Sequence, residues 1–124
     1  MAPEISQVSA AQAVAVMRAV KHMADPSNMD TLESIAGNGE CFRFAVGESE
    51  GVFVVKKKGC HLWVSAAAAL ASAGLAKIGM QAMDAIAVQA QCRTVGFQTA
   101  RAGLVRLAKK QGYRVTGFIM EKRI

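Results

Sequence analysis

The sequence predicts an α/β domain built on a mixed sheet with helices on both faces, in the order α-α-β-β-β-α-β-α-β. Three observations predict it. Helical periodicity fills the first part of the chain, and from Glu40 it gives way to a two-residue alternation. Further on, an alanine-rich helical stretch lies between two β-rich stretches, the pattern of a β-α-β crossover, which makes the flanking strands parallel. A length of 124 residues corresponds to one domain, 1–124.

The elements follow in order. Ser9-Ala-Ala-Gln12 has the spacing of a capping box, and Ala10–Met23 carries Val14, Met17 and Val20 at helical intervals. Asp25-Pro26-Ser27-Asn28 ends that helix. A short second helix has Asp30 as its cap, Glu33 three residues on, and Gly37 past its end. Cys41–Val46 and Val52–Lys57 alternate as strands around a hairpin turn at Glu48-Ser-Glu-Gly51, and Lys57-Lys58-Gly59 turns into a third strand, Cys60–Ala66. On that strand Leu62, Val64 and Ala66 are expected on one face, His61, Trp63 and Ser65 on the other. Residues 66–91 contain eleven of the 23 alanines, and Ser72 is placed to cap a helix from about Gly74 to Gln91 that buries Leu75, Ile78, Ala82, Ala85 and Ile86. A short strand at Arg93–Gln98, a helix at Arg101–Gln111 capped by Thr99 or Gln98, and a long last strand at Tyr113–Lys122 complete the order.

Composition narrows the chemistry. Hydrophobic residues make up 52% and charged residues 19%, which excludes a disordered chain. The longest uncharged run, Gly59–Ala76, is interrupted by His61, Ser65, Ser72 and Gly74 and does not read as a membrane span. The start MAPEISQVSA has neither a basic opening nor an apolar signal core, so a cytoplasmic location is expected. Cys41, Cys60 and Cys92 form no C-x-x-C pair, and with only His22 and His61 beside them no zinc site of ordinary spacing is expected. The net charge of +6 is uneven. Residues 1–50 hold three basic and seven acidic groups, net −4, whereas residues 51–124 hold twelve and two, net +10. Such a basic half suits an anionic partner: a phosphate-bearing cofactor, a nucleic acid or an acidic protein surface.

The succession of meander, long helix, strand, helix and final strand resembles the core of the GCN5-related N-acetyltransferase (GNAT) superfamily. The likeness spans roughly Val52–Met120, and Gly112-Tyr113 looks like the family's glycine–aromatic pair at a helix end. The family's usual first strand is not evident, so the likeness is to a shortened version of the fold. It implies acetyl-CoA as cofactor and an amine acceptor whose nitrogen attacks the thioester carbonyl while backbone N–H groups polarise it. The pantetheine arm would lie along Val64, Ser65 and Ala66, and the pyrophosphate at Ser72, Ala73, Gly74 and Leu75, where a helix N-terminus offers unpaired N–H groups. Aligning Gly74 with the last glycine of the family's pyrophosphate loop puts Ala69, Leu70 and Ser72 where a basic residue and earlier glycines usually stand. Places where family enzymes often carry a tyrosine acid and an asparagine hold Ala108 and Arg101, and no carboxylate lies between Gly51 and Met83.

His61 is therefore the candidate catalytic base, as the neutral-pH titrating group nearest the expected cleft. Arg101, a cation at a helix start, is the candidate contact for a phosphate of the cofactor or a carboxylate of the substrate. A second reading is a catalytically inactive GNAT-like binding or structural protein, in look akin to compact phage- or prophage-encoded ones, and a homodimer is compatible with it. A third is a nucleic-acid-binding module using Lys56-Lys57-Lys58 and the face formed by Arg101, Arg106, Lys109 and Lys110.

Overall fold

The computed structural model describes residues 3–19, 32–70, 75–99 and 101–124. Five strands form one mixed sheet in sequential order: β1 (Glu4–Val8), β2 (Glu40–Val46), β3 (Ser49–Lys58), β4 (His61–Leu70) and β5 (Thr94–Phe97). The first four pair antiparallel, and β5 is parallel to β4. Among the described residues, helices α1 (Ala10–Ala19), α2 (Leu32–Gly37), α3 (Leu75–Gln89) and α4 (Ala102–Lys110) cover it. The expected crossover is present as β4–α3–β5.

Helices lie on both faces. Ala13, Val14 and Met17 of α1, with Ile35 and Ala36 of α2, pack on Cys41, Val52, Val54, Ala66 and Ala68. Met80, Met83 and Ile86 of α3, with Ala108 of α4, pack on Phe44, Phe53, Val55, Leu62 and Val64. Within β3 the alternation is strict: Val52 and Val54 face one core, Phe53 and Val55 the other. A strand buried on both sides reads as an unbroken apolar run, and VFVV is that run.

Two expectations about the ends of the chain are corrected. A first strand exists: β1 pairs with β2 from Glu4↔Ala45 to Val8↔Cys41. Its sequence EISQV is short and polar, and its order comes from hydrogen bonding to β2 rather than from an apolar face. At the other end, Tyr113–Lys122 forms no strand; residues 113–124 have no sheet partner among the described residues. The observed order is thus β-α-α-β-β-β-α-β-α.

The turns also move. Val46 pairs with Ser49 and Lys58 with His61, so the hairpins close through Gly47-Glu48 and Gly59-Cys60, with both glycines at φ +60°. Gly51, expected in a turn, lies buried in β3 under the Phe44 ring; a Cβ there would come within 2.9 Å of the Ala68 carbonyl oxygen. Phe44 stacks on Phe53 at 5.2 Å between centroids, and Gly79 of α3 lets the helix close on the Phe44 ring. Helix α3 consequently buries Met80, Ala82, Met83, Ile86 and Ala87, while Ala85, expected inside, is exposed.

Helix ends follow their chemistry. Ser9 and Gln12 exchange the two bonds of the capping box, at 2.9 and 3.2 Å. Gly112 (φ +95°) closes α4, with Tyr113 N–H donating to Ala108 O and Gly112 N–H to Lys109 O, the paired bonds of a Schellman motif. The expected helix over Ala10–Met23 is seen through Ala19; its remainder and the Asp30 cap fall outside the described residues.

Candidate functional site where the parallel pairing ends

Strand β4 is the element around which a site forms. Across from it, Val54 pairs with Ala66 but Val55 with Val64, so Ser65 is an extra residue, a β-bulge. One inserted residue turns the rest of the strand over. Leu62 and Val64 face the α3 side, whereas Ala66 and Ala68 face α1, and Ala67 takes up the α3 side. The expectation that Leu62, Val64 and Ala66 share a face is therefore corrected at its third residue.

The same position ends the parallel pairing. His61–Val64 pair with Thr94–Phe97, and beyond Val64 the strand continues to Leu70 on β3 alone. Among the described residues nothing extends β5 past Phe97 alongside it, so backbone N–H and C=O groups of Ser65–Leu70 on that side have no strand partner. This leaves β4 with an open backbone edge from Ser65 to Leu70. An extended chain carrying amides could pair there with the strand's open edge.

The remaining candidates are scattered around it. Val64 is buried in the α3-side core, Ser65 is half-buried at the bulge, and Ala66 is buried under α1. Ser72, Ala73 and Gly74 lie outside the described residues, and Leu75 opens α3. Arg101 is the N-cap residue of α4, exposed and making no side-chain cap bond; its own N–H donates to Thr99 Oγ1 at 3.1 Å.

His61 sits at the opposite end of β4, four residues before Ser65, or about 13 Å along an extended strand. Its Nδ1 is 2.7 Å from Thr94 Oγ1, and its ring tilts toward Trp63 with centroids 6.2 Å apart. Gly96 makes this packing feasible, since a Cβ there would meet His61 Cε1 at 2.9 Å. The geometry ties β4 to β5. Thr94, the partner, carried no signal in the sequence.

Two of the three consecutive lysines have structural contacts. Lys57 Nζ donates to the carbonyl of Ala90 at 2.7 Å, meeting the negative end of α3, and Lys58 Nζ lies 6.0 Å from the Trp63 ring centroid. The Lys57 contact crosses a cleft of about 540 Å³ lined by Gln7, Asn38, Phe42, Ile86 and Gln89, where β1 ends and β2 begins. Arg106, Lys109 and Lys110 are exposed on α4.

Among the described residues, few titrating groups lie inside the protein. The Cys41 thiol is pushed up by burial and donates to Ala36 O at 3.6 Å, which leaves it an inert core residue. Cys60 is exposed at its turn and Cys92 is half-buried; all three thiols are free. Tyr113 packs edge-on against Phe97 at 5.2 Å, and its buried hydroxyl has no hydrogen-bond partner. Burial, reinforced by the nearby Asp84 carboxylate, pushes its pKa up to about 12, and burial also raises that of Asp84. Sequence reasoning placed Tyr113 at a helix end, but the buried hydroxyl depends on contacts between distant segments.

Comparison with known proteins bears on the fold. No family model and no curated protein matches the sequence. The chain is similar to the crystal structure of a mutant of TTHA1254 from Thermus thermophilus, with 16% identity and a TM-score of 0.58 over 98% of this chain and 96% of that one. At that identity the likeness is one of fold. No helix among the described residues is long and apolar enough to cross a membrane.

Proposed function

We propose that the chain is a small acyl-CoA-dependent N-acetyltransferase of the GCN5-related type, acting on an amine acceptor. The observation that carries this reading is the end of the β4–β5 pairing at Val64, which leaves the β4 edge from Ser65 to Leu70 without a strand partner among the described residues. The amides of a pantetheine arm fit such an edge, because each needs a backbone partner spaced as in a strand. The presence of β1 supports it too, because the family core usually includes a first strand, and one pairs with β2 here. When bound, acetyl-CoA would supply an activated acyl group. This chain's part would be to hold the arm along the open edge of β4, with Arg101 available for a phosphate. Catalysis of this kind rests mainly on positioning. His61, bonded to Thr94 at the far end of β4, would act in it by holding β5 in place. A cytoplasmic protein of phage or prophage type is the setting we propose.

A non-catalytic GNAT-like binding protein is the second reading, favoured by Ala108 at the acid position and by His61 being engaged. Nucleic acid is a weaker third, because Lys57 and Lys58 are occupied with α3 and Trp63. Thermal melts with acetyl-CoA and CoA separate these. At 100 times Kd the ligand should stabilise the fold by about 2.7 kcal/mol, with amide shifts concentrated in Ser65–Leu70. Melting curves unchanged at millimolar acetyl-CoA would remove the acyl-CoA reading. Binding without acetylation of any amine in a broad panel would leave the second.

A further inference from the structure

Residues 114–124 carry an exposed segment without a sheet partner among the described residues. Tyr113 is fixed on Phe97 at the end of β5, and from there Arg114–Ile124 is exposed throughout and joins no helix or strand. Its apolar side chains are bare: Phe118 is 91% exposed, Ile119 69% and Met120 93%. Three consecutive large apolar residues occupy both faces of an extended chain, the pattern of a strand buried on both sides. Beside the tail's root lies the matching vacancy. β5 ends the sheet, so its outer peptide groups have no strand partner among the described residues. It is short and apolar, with Val95 and Phe97 packed toward α3 and α4 on one face and Gly96 beneath His61 and Trp63 on the other. The other sheet edge, β1, exposes Glu4, Ser6 and Gln7 and offers no such apolar surface. An open apolar edge and an unpaired β-prone segment in one chain would favour association.

We infer that the protein is a homodimer in which Arg114–Ile124 of each copy adds as a strand to the β5 edge of the other. Both elements are present in every copy, so one two-fold axis satisfies both edges and the assembly closes. Eleven residues span up to about 36 Å, enough to cross a two-fold axis and run the length of β5. The apolar residues of the tail then meet Phe97 and Tyr113 on one side and the Trp63 shelf on the other. This inference is independent of the acyl-CoA reading.

Sedimentation of the full chain over about 1–100 μM, a range in which dimers of ordinary affinity assemble, should give twice the 13.1 kDa protomer mass. The double variant Phe118→Lys/Met120→Lys should sediment as a monomer that keeps its helical circular dichroism and a cooperative thermal transition, since those side chains are bare in the protomer. A chain ending at Tyr113 should do the same. Hydrogen exchange on the dimer should show slowed amides in Val115–Met120 and in Thr94–Phe97, and fast ones in both segments of the double variant. A monomeric full chain would overturn the proposal. So would a dimer that survives both changes, or one in which β1 rather than β5 gains protection.

Discussion

The two halves of β4 are built differently. His61–Val64 has strands on both sides, β3 and β5, and points Leu62 and Val64 at α3. Ser65–Leu70 has β3 alone, and points small side chains, Ala66 and Ala68, at α1. The first half is anchored by large residues and by the His61–Thr94 bond. The second is thin and open on one edge. A single bulged residue separates them, and this teaches that one strand can serve two cores while freeing its backbone where they part. Rigidity and accessibility are thus divided along one element.

Charging the thin half is the strongest way to break the comparison. Ala66 is 2% exposed in the α1-side core, and Ala66→Asp would bury a carboxylate there with no partner. The expected result is loss of a cooperative thermal transition, a cost above about 4 kcal/mol. An Ala66→Asp variant melting near wild type would show that the second half of β4 is not packed against α1.

A smaller effect tests the difference in anchoring. Leu62 is 2% exposed, and Leu62→Ala should cost about 2–5 kcal/mol in urea unfolding. Ala66, equally buried, loses one methyl and some backbone restraint in Ala66→Gly, for about 1–2 kcal/mol. Equal losses at the two sites would refute the asymmetry.

Smallest is an effect of pH at the edge of the first half, where Tyr113 packs on Phe97. The tyrosine has a folded pKa of about 12 against an ordinary 10, so between those values the unfolded chain releases its proton first. Stability should fall as pH rises from 10 toward 12, by about 1–2 kcal/mol once screening of a partly exposed ring is allowed for. Tyr113→Phe should abolish that slope. At pH 7 it should leave stability equal or slightly higher, because it deletes a buried hydroxyl that has no partner. Persistence of the slope in the variant, measured by denaturant titration at each pH, would assign it to another group.

How much of this was legible in the sequence varies by element. The helices near Ala10, Leu32, Leu75 and Ala102, the meander and the crossover were readable from periodicity, because each buries a face whose spacing is written locally. β1 was not, for its five mostly polar residues gain order only through β2. At Gly51 the sequence suggested a turn, and only the Phe44 ring lying above it explains a glycine in mid-strand. Of the candidate site, Ser65 was named as part of an arm-binding strand, but its being a bulge was not visible. Val64, Ser65 and Ala66 share the place where β4 leaves β5, and His61 does not.

By itself, then, the sequence determined the fold class, the helix caps at Ser9 and Gly112 and the distribution of charge, all of which depend on neighbours a few residues apart. Tertiary structure decided which face each half of β4 presents, which edges remain open and that Tyr113 loses its hydroxyl to the interior. Those features depend on strand register and on contacts between distant segments. A one-residue offset in pairing leaves local propensity almost unchanged while it reverses what every side chain meets.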